Sequence, residues 1–224
     1  MIADNIKAVT QRIARSCDKA GRPAGDVELV CVTKEATLAQ MEEALQAGGR
    51  VFGENRVQDA AAKHKAIGDK ASWHLVGHLQ TNKVKEAVGI FDLIHSVDSA
   101  HLARQIDKEA GKASKVQDIL IQVNTSGEAT KFGVSPEAAT DLIKEVALYP
   151  NIHIKGLMTI APEVEDPETV RPYFRALRDL RDRIDGLKLT AYSLHLLSMG
   201  MTNDFEVAIE EGSTMVRIGR AIFR

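Results

Sequence analysis

Apolar positions recur along the chain at two spacings, and the alternation between those spacings sets out the elements. Ile2, Ile6, Val9, Ile13 and Cys17 step by three and four, which puts them on one face of a leading amphipathic helix that should end near Gly21. Residues 27–32 are a short run rich in β-branched side chains with turn formers before it, so they read as a buried strand, and Lys34 falls just past its carboxyl end. Thr37 and Gln40 have the spacing of a capping box, and Leu38, Met41 and Leu45 form an apolar stripe before Gly48 and Gly49. The same alternation gives a strand over 50–53, a helix over 54–67, a strand over 73–76 and a helix over 81–88. A strand over 93–97 precedes a helix capped by Asp98 with Leu102 and Ile106 inward, and a strand over 119–123 leads into a polar loop. Ser135-Pro136-Glu137 is a helix start, with Leu142, Ile143 and Val146 inward and Pro150 beyond the end. A strand over 152–158, a helix over 170–184, a strand over 193–197, a helix over 203–210 and a strand over 215–218 complete the chain.

Eight strands alternating with helices predict an α/β protein, a single (β/α)8 TIM barrel over residues 1–224, with a doubly wound sheet as the competing architecture. A length of 224 residues suits one sizeable core. In either fold, ligand chemistry gathers at the carboxyl ends of the parallel strands, so the residues just past each strand outrank the others. The formal charge of −2 offers no field to hold a polyanion, and no stretch approaches the length of a membrane span, so nucleic acid and membrane partners are not expected. Two cysteines, Cys17 and Cys31, make no disulfide framework, and the polar start of the chain is no secretory signal, so a cytoplasmic location is expected.

The predicted strand ends are polar or glycine-rich: Lys34, then 53–56, 77–80, 124–127, 158–159, 197–203 and 217–220. Ser198, Gly200 and Gly219 suit a phosphate cradle, because small residues let backbone N–H groups approach an anion. A phosphate site facing a lysine suggests a phosphorylated carbonyl compound held by its anion and captured by the amine as a Schiff base. Desolvation and the charge of Arg217 would both lower the Lys34 pKa. Each candidate also has an ordinary reading. Asn55 suits a helix start, His78 a hydrogen-bonded structural role, and Gly200 and Gly219 suit turns; Arg217 suits a buried ion pair. Arg171, Arg175, Arg178, Arg181 and Arg183, mixed with aspartates, read as a solvated helix face with i,i+4 pairs.

Five ordered runs carry a resemblance across essentially the whole chain: VTK at 32–34, GENR at 53–56, WHLVGHLQTNK at 73–83, VNTSGEATKFGV at 123–134 and LSMGMTNDFEVAIEEGSTMVRIGRAIF at 197–223. Together they resemble the pyridoxal phosphate homeostasis protein family, which is similar to the amino-terminal barrel of alanine racemases. The resemblance implies a pyridoxal 5′-phosphate (PLP) barrel of fold type III, with Lys34 bound to the cofactor aldehyde as a Schiff base and Arg217 facing the pyridine nitrogen. It also implies that Ser198, Met199, Gly219 and Arg220 surround the phosphate through backbone N–H groups, that Asn55 lies near the ring, and that His78 and Met158 sit close by. The sequence departs from the family pattern at two places: Glu35-Ala36-Thr37 stands where a proline often follows the lysine, and Arg224 replaces the usual terminal glycine.

An arginine at the ring nitrogen weakens carbanion stabilisation, and racemisation needs acid–base groups on both faces of the substrate plane, of which Lys34 serves one. In alanine racemases the second group comes from a β-rich domain, which the few residues past strand eight are not expected to supply. The function implied is therefore binding, buffering or delivery of PLP in vitamin B6 homeostasis, by a monomer that meets PLP-acceptor enzymes transiently, with Lys83 and Lys131 as candidates in transfer. A weak amino-acid racemase is the alternative, and a PLP-free Schiff-base aldolase a third.

Overall fold

A computed structural model describes residues 1–190 and 193–224. Its order is α1 (Ile2–Lys19), β1 (Glu28–Val32), α2 (Leu38–Gln46), β2 (Val51–Glu54), α3 (Val57–Ile67), β3 (Ser72–Leu75), α4 (Val84–Ile90), β4 (Leu93–Val97) and α5 (Ala100–Lys112). There follow β5 (Gln117–Gln122), α6 (Pro136–Val146), β6 (Ile152–Met158), α7 (Arg171–Gly186), β7 (Leu196–Ser198), α8 (Phe205–Glu210), β8 (Met215–Ile218) and α9 (Arg220–Phe223). The eight strands pair in parallel in chain order, and β1 pairs with β8, so the sheet closes as a barrel and the doubly wound alternative falls.

Alternation along each strand divides the buried side chains into two sets. Val30, Val51, Leu93, Leu120, Met158 and Met215 form one apolar cluster, which we assign to the barrel interior. The intervening residues, such as Cys31, Phe52, Trp73 and Ile94, join the larger cluster between sheet and helices. Both cysteines are buried free thiols, and burial pushes Cys31 up to about 12. The apolar stripe of α1 is buried as its spacing predicts, and that helix packs against α8 and α9.

Several boundaries differ from the sequence expectation for identifiable reasons. Glu54 is the last residue of β2 and fully buried, so the helix expected there starts three residues later, at Val57. The cap of α5 is Ser99, whose Oγ accepts from the Leu102 N–H at 3.3 Å; Asp98 stands one residue too early. The seventh strand begins at Leu196 rather than Ser193, and its neighbours Ala191 and Tyr192 lie outside the described residues. Residues 203–204 precede α8 in a turn, and residues 81–83 form a 3₁₀ turn before α4. The capping box at Thr37 and Gln40 forms, yet Leu38 at the first helical position is exposed.

Three of the arginines of α7 form a tertiary network in place of i,i+4 pairs, while Arg175 and Arg183 stay exposed. Arg171, Arg175 and Arg178 converge on the buried carboxylate of Glu211 at 3.1, 2.9 and 3.0 Å, tying α7 to the end of α8. Burial alone would raise the Glu211 carboxyl, but the hydrogen bonds from Arg175 and Arg171 prevail and hold it below the usual carboxylate range.

Candidate functional site

A cavity of about 410 Å³ opens at the carboxyl ends of the strands. Its walls bring together Lys34 after β1, Asn55 after β2, Arg217 on β8, and Gly219 and Arg220 at the start of α9, with Val32, Val76 and Ile160 as apolar surface. Thr202 and Asn203, from the turn after β7, complete one side.

The backbone under Lys34 is held by its predecessor. The Thr33 N–H donates to the Gly53 carbonyl at 2.9 Å, and Thr33 Oγ1 donates to Glu54 Oε1 at 2.6 Å. The Thr33 carbonyl accepts from Lys63 Nζ at 2.5 Å. All three polar groups of Thr33 are thus engaged, and the exit of β1 is fixed against β2 and α3. The Lys34 side chain itself is 48% exposed, with the Glu35 carboxylate 4.0 Å away. Asn55 is placed by Gly77: a Cβ there would lie 2.2 Å from the Asn55 carbonyl oxygen, so only glycine lets the two strand ends approach this closely.

Arg217 is only 4% exposed, and among the described residues no carboxylate lies within ion-pair distance of it. Burial pulls its pKa down to about 10, which leaves it cationic at neutral pH. Nη1 donates to Ser198 Oγ at 2.6 Å and Nη2 to the Thr159 carbonyl at 2.8 Å. Nearby Asp204 also lines the cavity, but its carboxylate accepts from the Met201 N–H at 2.6 Å, and burial pushes its pKa up. Arg220 pairs with Glu163, also a lining residue, at 3.1 Å.

Ser198 and Met199, expected at a phosphate, stand apart from this cavity. Both are fully buried; Ser198 Oγ lies between Arg217 and His95, and the Met199 N–H is committed to the Met215 carbonyl at 3.1 Å. Gly200 has φ of +96°, and a Cβ there would stand 2.7 Å from that of Ala208, so it serves the turn onto α8. Met158 belongs to the interior cluster, and His78 stacks on Phe132 at 3.9 Å beside Asp98. Lys131 pairs with Glu128 at 2.5 Å, and neither it nor Lys83 lines the cavity. Sequence reasoning named Thr202 and Asn203 only within the strand-end run 197–203, and it missed Asp204 and Glu163 in the cavity, and His74 and His95 beneath it. The last two were legible from strand alternation, since His95 follows Leu93 at the interior spacing of β4.

The donor set suits one ligand chemistry. A primary amine, a buried guanidinium lacking a carboxylate and a second arginine face apolar walls, which fits an anionic, ring-bearing carbonyl compound. Among the described residues no cluster of ligands suited to a metal ion is present.

This fold and this rim define the chain as a barrel of the alanine racemase class: the family model for the alanine racemase N-terminal domain matches residues 4–224. Within that class the chain belongs to the pyridoxal phosphate homeostasis protein family. It is 46% identical over 223 residues to the pyridoxal phosphate homeostasis protein of Aquifex aeolicus, covering 98% of this chain and 96% of that one. It is also similar to PipY of Synechococcus elongatus, whose structure with PLP bound superposes with a TM-score of 0.86 at 32% identity, over 100% of each chain. An alanine racemase of Clostridium difficile shares the fold at 13% identity and a TM-score of 0.77, with 98% of this chain matched to 56% of that one.

Proposed function

We propose that the cavity holds pyridoxal 5′-phosphate and that the protein keeps and passes on the cofactor rather than turning over a substrate. The observation that carries this reading is the placement of the Lys34 amine and the carboxylate-free Arg217 guanidinium on the walls of one cavity. When bound, the cofactor supplies an aldehyde that amines capture, a phosphate, and a ring whose electron demand rises when its nitrogen is protonated. Lys34 is the amine for that aldehyde. Gly219 and Arg220, with Thr202 and Asn203, offer the phosphate a polar wall. Arg217 gives the ring nitrogen a hydrogen bond while keeping its own proton, and Asn55 flanks the ring. Ser198 and Met199 stay proposed phosphate contacts through their backbone N–H groups; the Ser198 hydroxyl also supports Arg217, and the Met199 N–H is bonded to the Met215 carbonyl.

Weak carbanion chemistry follows from the same groups. Racemisation requires a second proton-transfer group on the far side of the substrate plane. The described residues lining the cavity include no histidine, cysteine or tyrosine; Glu163 is paired with Arg220, and Asp204 with the Met201 N–H. The reading carries with it a cytoplasmic monomer that meets PLP-acceptor enzymes transiently. The formal charge of −2 supports the exclusion of nucleic acid, and no described helix is long and apolar enough to cross a membrane. The test is a visible spectrum of the protein with PLP, followed by borohydride reduction and peptide mapping. A pyridoxyl adduct on Lys34, lost in Lys34→Ala, is expected; an unmodified Lys34 peptide would overturn the assignment.

A further inference from the structure

Beneath the cavity, four buried side chains from four different strands form one hydrogen-bonded row. His74 on β3, His95 on β4, Ser198 on β7 and Arg217 on β8 are each at most 4% exposed. His74 Nδ1 lies 3.1 Å from His95 Nε2, His95 Nδ1 lies 2.9 Å from Ser198 Oγ, and Ser198 Oγ lies 2.6 Å from Arg217 Nη1. The proton positions follow by elimination. A guanidinium has only donors, so Ser198 Oγ accepts from Nη1. The hydroxyl keeps one proton, and among the described residues the acceptor in reach is His95 Nδ1. That nitrogen is therefore bare, His95 carries its proton on Nε2, and it donates to His74 Nδ1. The opposite direction fails: a proton on His95 Nδ1 would face an oxygen already accepting from Arg217 and would strand the buried hydroxyl proton. Burial favours the neutral imidazoles this arrangement needs, and the Arg217 charge adds to the effect at His95.

We propose that Ser198 and His95 are positioning residues that aim Arg217 into the cavity through this one-way row of hydrogen bonds. An arginine side chain has several rotatable bonds, and the row together with the Thr159 carbonyl fixes two nitrogens of its fork in one orientation. The consequence for cofactor binding rests on the PLP reading above, whereas the row itself is a property of the protein alone.

The first measurement uses cofactor-free wild-type protein labelled with 15N-histidine. Neutral His74 and His95 protonated on Nε2 are expected at about neutral pH; His95 protonated on Nδ1, or as imidazolium, overturns the proposal. The second measurement reads rotation of the Arg217 fork from its Nη resonances in two variants. His95→Asn keeps an oxygen to accept the Ser198 proton, and His95→Leu removes the acceptor. A slow fork in wild type and His95→Asn with a fast one in His95→Leu is expected, and equal mobility in both variants overturns positioning. With PLP bound, His95→Leu should shift the visible absorbance and release the cofactor about tenfold faster, a change worth about 1.4 kcal/mol, while His95→Asn should stay within about twofold. Should His95→Leu not fold, the wild-type tautomer decides. Failure of wild type to take up PLP with the tautomers and slow fork intact would sink the cofactor reading and leave the row standing.

Discussion

The Glu35 carboxylate accepts a 2.9 Å hydrogen bond from Nε of Arg224, which ties the residue after Lys34 to the helix that follows β8. The contact thus joins the neighbour of Lys34 to Arg224, which itself lines the cavity. The Arg224 guanidinium also holds the Glu35 carboxyl below its usual range, first through its hydrogen bond and then through its charge.

That contact is exposed, so Arg224→Ala should leave the thermal unfolding midpoint unchanged. It should free the segment beside Lys34, and PLP uptake and release, followed by stopped-flow absorbance, should both accelerate. At about 1 M salt, where screening acts within about 3 Å, the wild type should approach the variant. Rates that match at low salt would show that the pair does not gate the cavity.

Arg217 is a buried cation without a carboxylate at ion-pair distance among the described residues, and that placement sets stability against binding. Arg217→Met removes the desolvation penalty of a buried charge at the loss of its bonds to Ser198 and Thr159 and of its attraction to Asp204. Urea unfolding should change by no more than about 1–2 kcal/mol, because relief of that desolvation opposes the loss of the two bonds. PLP affinity should fall at least about tenfold, the equivalent of one charged hydrogen bond lost. A variant that is both destabilised and able to bind normally would contradict the assignment of Arg217 to the cavity floor.

The barrel was legible because each strand-helix unit carries its own period, and Lys34, Asn55, Arg217, Gly219 and Arg220 were legible because strand ends can be read directly from the sequence. Thr202 and Asn203 were legible only as part of the strand-end run 197–203, because their entry into the cavity depends on how the turn before α8 folds, with Asp204 taking the Met201 N–H. The strand-end position of Ser198 does not show where its hydroxyl goes, which its pairing with Met215 and its alternation turn into the barrel. The reach of Arg171, Arg175 and Arg178 was not legible for a related reason. Their partner Glu211 lies more than thirty residues away, and a helical wheel shows no tertiary partner.

Glu54 and Lys63 form an ion pair at 2.6 Å with Glu54 wholly buried, and the same Lys63 ammonium holds the carbonyl of Thr33. Lys63→Met strands that carboxylate and should destabilise the fold by about 3–5 kcal/mol in urea unfolding. The double variant Glu54→Leu with Lys63→Met removes both charges and should recover most of the loss, but it should leave Thr33 without two of its partners. Slower capture of PLP by Lys34 in that well-folded double variant is therefore expected, and wild-type capture would show that the lock on Thr33 is dispensable.

Acid should weaken the fold through the two interior histidines before the carboxylates respond. Burial lowers His74 from 6.5 to about 4 and drives His95 well below its ordinary value, the latter helped by His74 and Arg217. Below pH 6.5 the unfolded chain takes up protons on both rings while the folded chain does not, so stability is full above that pH and lost as pH falls toward the folded values. Each ring contributes a slope of up to about 1.4 kcal/mol per pH unit. Glu210 and Glu211, whose values are lowered from 4.5, weaken the fold only at lower pH, whereas the raised carboxyls of Asp98 and Asp204 act in the opposite sense. Comparison with His95→Asn isolates the imidazole. Its stability in urea at about pH 7, 6 and 5 should fall with roughly half the slope that the two rings give the wild type, and parallel curves would mean that His95 is protonated inside the barrel.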